Sequence, residues 1–303
     1  MKAFRKPPLL VPQQVELLKS RGLLVDDEER ASRYLLSIGY YRLSAYYIPF
    51  YRESERHLFK DNVTFDDVLQ LYIFDRKLRC LYWEALERIE IHIRTQWVYW
   101  LVTETKNPFA HLDPCNFKDH DAYRLSLSKL QTEIARARNE EFIAHFQKEY
   151  SEELPPLWAC VHLMTLGELI RWVDNTLDPK IRSQLARSLG FNDYLRFHSF
   201  AVALTELRNV CAHHVRLWNR TFMKKHSVVK KLLTPGFEHI LPIDSTSKIY
   251  SLSLLISSSL LSMNPKTSWP CRLKNLVMGN PEWQQHAMGF PAGWQSIEFF
   301  CKN

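Results

Sequence analysis

Glycine is scarce. Only 8 glycines occur in 303 residues, and no G-x-G-x-x-G or G-x-x-x-x-G-K-[ST] string is present. The glycine-cradled phosphate sites of dinucleotide-dependent dehydrogenases, kinases and P-loop proteins are thereby excluded. Cysteine is sparse and scattered: Cys80, Cys115, Cys160, Cys211, Cys271 and Cys301 include no C-x-x-C pair. That argues against a zinc ribbon and a disulfide framework, and fits reduced thiols in a cytoplasm. H-E-x-x-H is also missing, and the compact grouping Glu90-Ile91-His92 would point its ligands apart on a helix, so neither metal nor cofactor is expected. Long apolar runs are lacking too. Leu9 to Val11 is too short for the apolar core of an export signal. Ile249 to Met263, 15 residues rich in serine, falls below the roughly 20 apolar residues of a membrane span and reads as a buried helix. No membrane contact is expected.

Acidic residues are missing from one long stretch. The chain carries a net charge of +7, but from Leu207 to Phe237 there is no carboxylate, while Arg208, Arg216, Arg220, Lys224, Lys225, Lys230 and Lys231 supply the cations. On to Pro281, Lys248, Lys266, Arg272 and Lys274 face only Glu238 and Asp244, so the remainder of the chain is slightly acidic. Clustered cations of this kind suit a polyanion, whose bound counterions they release. A solvated basic surface would have the same composition.

What the sequence has in quantity is helical spacing. Asp26, ahead of Asp27, Glu28 and Glu29, caps a helix that Gly39 ends. Thr64-x-x-Asp67 opens a long periodic segment, in which Leu78, Tyr82, Leu86, Ile89, Ile93 and Trp97 form one apolar stripe. Glu84 with Arg88, and Glu90 with Arg94, are i,i+4 pairs in the favourable order. Further helices are expected over 122–150, 157–177, 180–189, 193–213 (capped by Asn192) and 246–263. Strands with alternating polarity are absent, so the expected fold class is all-α: a single α-helical domain over residues 1–303 with additional N- and C-terminal helices.

Chemistry concentrates in the segment from Asp193. At 100° per residue, Phe197, Phe200, Leu204, Leu207 and Cys211 make a core-facing stripe. Thr205, Arg208, Asn209, Ala212, His213 and Arg216 form a polar stripe beside it, notched at Ala212. Arg208 and His213 stand about 140° apart on an ideal helix, so the arginine must swing or the helix loosen for both to reach one phosphate. Asn209 lies four residues before His213 and is placed to orient its ring. A histidine can move a proton to or from a ribose 2′-OH, and an arginine can clamp the phosphate with two prongs, the combination needed for metal-free RNA cleavage. Arg52 and His57 have the same spacing, in a charged stretch without an apolar face.

The string Leu207-Arg208-Asn209-Val210-Cys211-Ala212-His213-His214-Val215-Arg216-Leu217-Trp218-Asn219-Arg220 closely resembles the signature of the Abi-like (AbiD/AbiF) abortive-infection proteins of bacteria, a branch of the HEPN superfamily. Gly39-Tyr40-Tyr41-Arg42-Leu43, Leu71 to Arg79, Glu87-Arg88-Ile89-Glu90 with Arg94, Pro155-Pro156-Leu157-Trp158 and Leu166-Gly167-Glu168-Leu169 resemble the same family in the same order. The likeness spans residues 25–222, leaving a basic C-terminal extension at 223–303. It implies a HEPN-like helical bundle, commonly dimeric, with Arg-x4-6-His motifs of two protomers in one cleft. Many HEPN proteins are metal-independent endoribonucleases that leave 2′,3′-cyclic phosphate and 5′-OH ends; others bind RNA without cutting it, and some Abi-like proteins work with small non-coding RNAs. By this resemblance Arg208 binds the scissile phosphate, His213 is the general acid/base and Asn209 supports it.

Other residues admit two readings. Arg216, Arg220, Lys224, Lys225, Lys230 and Lys231 serve as RNA contacts or as plain surface charges. His214 is an alternative active imidazole if the helix register shifts. Trp218 reads as packing rather than base stacking, and Glu87, Glu90 and Arg94 as a structural salt bridge. Tyr40, Tyr41, Tyr46, Tyr47 and Phe50 read as core, with base stacking as the other use of such rings.

Overall fold

Side chains that accept backbone N–H groups mark where several of the helices begin. In the computed structural model, which describes residues 7–223 and 247–297, the acceptor of α2 (Glu28–Ile38) is Asp27, not Asp26: the Arg30 N–H donates to it at 2.8 Å. Gly39 closes α2 at φ +89°, as expected. The Thr64–Asp67 box is reciprocal, with Thr64 N donating to Asp67 Oδ2 at 2.8 Å and Asp67 N to Thr64 Oγ1 at 3.1 Å. It opens α4 (Phe65–Thr105), one uninterrupted helix of 41 residues.

By its internal contacts the chain divides after Leu78, and α4 runs through the division. The first unit contains α1 (Val11–Ser20), α2, α3 (Tyr40–Tyr47), a small antiparallel hairpin of β1 (Tyr51–Glu53) and β2 (Leu58–Phe59), and the start of α4. Val15, Leu18, Leu35, Leu43, Tyr47 and Phe59 are buried there. Tyr46 is buried and donates its hydroxyl to the fully buried Asp75 at 2.5 Å.

The second unit holds the rest of α4 and the remaining described helices: α5 (His120–Arg136), α6 (Glu141–Glu149), α7 (Leu157–Cys160), α8 (Leu166–Asn175), α9 (Pro179–Ser188), α10 (Tyr194–Ala212), α11 (Ile249–Met263), α12 (Trp269–Met278) and α13 (Glu282–Ala287). The stripe Tyr82, Leu86, Ile89, Ile93 and Trp97 is buried, as its spacing predicts. From Ile249 to Ser257 every residue of α11 is buried. Tyr82 and Ser253 join hydroxyls inside this core, and Trp269 Nε1 donates to the Leu81 carbonyl at 2.8 Å. The architecture is all-α, and among the described residues no helix is long and apolar enough to cross a membrane.

Three local expectations need correction. The helix expected over 122–150 is two, α5 and α6, divided at the exposed Arg138 and Asn139, where no apolar side chain holds the turn to the core. The helix expected over 157–177 also divides: Met164 is extended, and the Thr165 hydroxyl takes the Glu168 N–H at 3.3 Å to restart as α8. Glu84 does not pair with Arg88. It holds Arg272 of α12 at 2.7 Å, while Arg88 donates to Thr267 Oγ1 at 3.1 Å, because both acid and base find partners across a helix interface. The other expected pair, Glu90 with Arg94, forms.

Candidate functional site

The cap of α10 is Asp193, one residue after the expected Asn192; it accepts the Arg196 N–H at 2.9 Å. Phe197, Phe200, Leu204, Leu207 and Cys211 are all buried, so the helix faces the core as its periodicity requires. The other side opens outward. Asn209 and His213 are exposed, whereas Arg208, Ala212 and Arg216 are half-buried.

The helix does loosen at His213. Ala212 is its last residue and His213 is the C-cap. Val215 N–H then reaches back to the Val210 carbonyl at 2.9 Å, and His214 N–H to the Cys211 carbonyl at 3.1 Å. These two bonds are the Schellman closure, which needs a left-handed residue at the position His214 fills, with φ +54°. Glycine is the usual occupant, and histidine is among the few other residues enriched there. The geometry therefore gives the two histidines different tasks. His213 hangs from the last turn, and His214 turns the backbone.

Arg208 has an unusual setting. Its guanidinium lies 5.8 Å from the centre of the Trp83 ring, which is itself 43% exposed. The two form part of an open cleft of about 200 Å³ that Leu86, Glu87, Glu90 and Ile91 also line. Glu90 does not serve Arg208, because it is engaged by Arg94, whose other donors hold the Val161 and Met164 carbonyls. Arg208 Nε is buried without a hydrogen-bond partner. Among the described residues no carboxylate pairs with this guanidinium, so an anion entering the cleft would not have to displace one.

Asn209 and His213 are joined through the backbone, His213 N–H to the Asn209 carbonyl at 3.0 Å. Among the described residues no hydrogen bond links their side chains, and none links either to Arg208.

Cations crowd the turn after the helix. Lys248 donates to Asn219 Oδ1 at 2.8 Å. Its ammonium is pushed below the usual lysine range by burial first and by the nearby Arg216 guanidinium second. Arg220 sits 3.8 Å from Glu206, a carboxylate one position before the acid-free stretch, so it is partly neutralised. Lys224, Lys225, Lys230 and Lys231 lie outside the described residues. Trp218 is buried, donates to the Gln284 carbonyl at 3.1 Å and meets Trp283 edge-on, so it packs as expected. Arg52 pairs with Asp61 at 3.5 Å in an exposed setting, and His57 stands in a turn at φ +56°.

Sequence spacing missed Trp83 and Lys248. Trp83, Glu87 and Ile91 recur every four residues on α4, all exposed on the side away from its buried stripe; an exposed tryptophan in such a row is the signal that was present. Lys248 reads in the sequence only as charge, because nothing local ties it to Arg216. Among the described residues no group of three or more metal-ligating side chains lies together.

Compared with known proteins, the chain has no match among curated proteins or solved structures. The Abi-like protein family matches it over residues 33–219. That stretch contains α10, its Schellman turn and the Arg208–Trp83 cleft, and it covers well over half of the chain; the protein belongs to the Abi-like family.

Proposed function

We propose that this protein is an endoribonuclease of bacterial abortive infection, an effector of phage defence, and that Arg208 and His213 carry the chemistry. Arg208 would hold the scissile phosphate. The His213 imidazole would take the proton of the ribose 2′-OH as its oxygen bonds to phosphorus. The P–O5′ bond breaks, the leaving oxygen takes a proton from the imidazolium, and the products are a 2′,3′-cyclic phosphate and a 5′-OH end. No step requires a metal or a cofactor, and DNA, lacking the 2′-OH, would be inert.

The observation that carries this reading is the end of α10. The turns that bury Leu207, Val210 and Cys211 present a half-buried arginine and an exposed histidine five positions apart. A shared cleft in a homodimer, where one protomer's arginine meets its partner's histidine, would bring to one phosphate two groups that stand about 140° apart on a single helix. Asn209 would support the ring once RNA is bound.

The test is labelled RNA incubated with purified protein in EDTA, beside His213→Ala and Arg208→Ala. Cyclic-phosphate ends made by the parent alone support the enzyme. A monomer at micromolar concentration in sedimentation counts against the shared cleft. The crowding of Arg216 and Lys248 beyond the cleft favours a second reading, an RNA-binding module that holds a structured or small non-coding RNA without cutting it. Its signature is salt-sensitive binding, equal in parent and His213→Ala, with no cleavage.

A further inference from the structure

The first unit contains an opening that the α10 chemistry does not use, with a volume of about 860 Å³, within the size range of small-molecule sites. Four aromatic side chains line it: Tyr40 and Tyr41 at the start of α3, Tyr51 on β1 and His57 in the hairpin turn. Arg21, which follows α1, is its one fixed charge, and no carboxylate lines it among the described residues. Tyr40 accepts a hydrogen bond from Arg21 Nη1 at 2.8 Å, which anchors the guanidinium to the wall. That is the only hydrogen bond of the Arg21 side chain among the described residues. Tyr51 and His57 stand 5.4 Å apart with tilted rings.

Tyr41 is the conspicuous member. It is 90% exposed, on a helix whose Leu43, Tyr46 and Tyr47 are fully buried. Its ring covers none of the protein's own core. Gln14, on the same wall, donates Nε2 to the Leu9 carbonyl at 2.9 Å, and its Oε1 is buried with no hydrogen-bond partner. The opening therefore offers flat π faces and one cation. The matching ligand is planar and negatively charged.

We infer that this opening is a nucleotide-binding site in which an unpaired base stacks on Tyr41 and its phosphate meets Arg21. A base of an RNA strand and a free mononucleotide have this chemistry in common. Stacking on an aromatic side chain tolerates any base. The site is independent of the cleavage reading, since it neither contains nor requires Arg208 or His213.

The experiment titrates the full chain, in EDTA, with adenosine 5′-monophosphate, adenosine and a single-stranded RNA hexamer whose 2′-hydroxyls are methylated, so that it cannot be cut. Tyr41→Ala should weaken binding by about 5- to 150-fold, the range for loss of one base–aromatic stack, while Tyr41→Phe stays near the parent. Arg21→Gln should abolish the preference for the monophosphate over adenosine. Thermal midpoints of the variants, read beside the titrations, separate lost binding from lost folding. Loss of hexamer binding alone identifies RNA as the source of the base; loss of monophosphate binding alone identifies a free nucleotide. The preference for the monophosphate over adenosine, which the α10 cleft does not set, is the readout of this site alone, and cyclic-phosphate formation is that of the cleavage proposal, so failure of one and failure of the other read differently. Parent and Tyr41→Ala binding both ligands equally, or the parent binding neither, overturns the inference.

Discussion

Replacing His214 tests the turn on which the site depends. At φ +54°, a residue with a Cβ carries a penalty of about 1–2 kcal/mol. Glycine escapes the penalty but loses about 0.4–1 kcal/mol, because its unfolded chain is freer. His214→Ala and His214→Gly both remove the imidazole together with whatever it touches. The difference between them therefore isolates the backbone, and with the mid-range values Gly should be the more stable by about 0.8 kcal/mol. In a unit of this size each kcal/mol moves the thermal midpoint by about 2–4 °C, so the two variants should melt roughly 2–3 °C apart. Circular dichroism melts and urea titrations would measure the gap. If the alanine variant is as stable as the glycine variant, or more so, His214 is not the left-handed residue. The assignment of His213 as the side chain just past the helix would then go with it. Cleavage supplies the second readout: both His214 variants should keep it, whereas His213→Ala should not.

Trp83→Ala should lower RNA cleavage about two- to fivefold in kcat/KM, the value of an exposed cation–π contact, and Trp83→Phe should recover most of it; equal rates in all three would dissociate Trp83 from Arg208. Arg94→Ala strands Glu90 and two backbone carbonyls and should cost about 3–5 kcal/mol in urea denaturation, as for other broken buried pairs. His111 is fully buried with neither ring nitrogen hydrogen-bonded, and burial pushes its pKa down to about 4. Its unfolded value is near 6.5, so between pH 6.5 and 4 the unfolded chain binds the extra proton. The stability of the second unit should accordingly be full above about 6.5 and fall by up to about 3 kcal/mol on acidification to 4. His111→Leu should flatten that slope, and an unchanged pH profile would refute the argument.

Side chains that act within one turn of themselves were legible in the sequence. Thr64 and Asp67 cap each other three residues apart, Gly39 stops α2 with its own φ, and the α10 stripe follows from spacing alone. Breaks were harder to read. Nothing between Ala122 and Tyr150 forbids a helix; α5 and α6 separate because Arg138 and Asn139 gain nothing from the core. Partners distant in sequence were invisible: Glu84 forgoes Arg88 for Arg272, 188 residues away. The candidate site divides the same way. Arg208 and His213 were marked by their own segment, but Trp83, which holds the guanidinium, lies on another helix, and the left-handed His214 is a consequence of hydrogen bonds that only the folded turn contains.

The burial of α11 on nearly every side has a consequence for how the protein is made. The Tyr82–Ser253 and Leu81–Trp269 links join residues 171 and 188 positions apart, and contacts so far apart in sequence form slowly. A ribosome has already translated Arg208 and His213 when it reaches Ile249, yet α11, one of the helices that α10 packs against, is still missing. A product terminated before that codon lacks the middle of its second unit, so premature release yields a chain with the site residues but without the scaffold that arranges them.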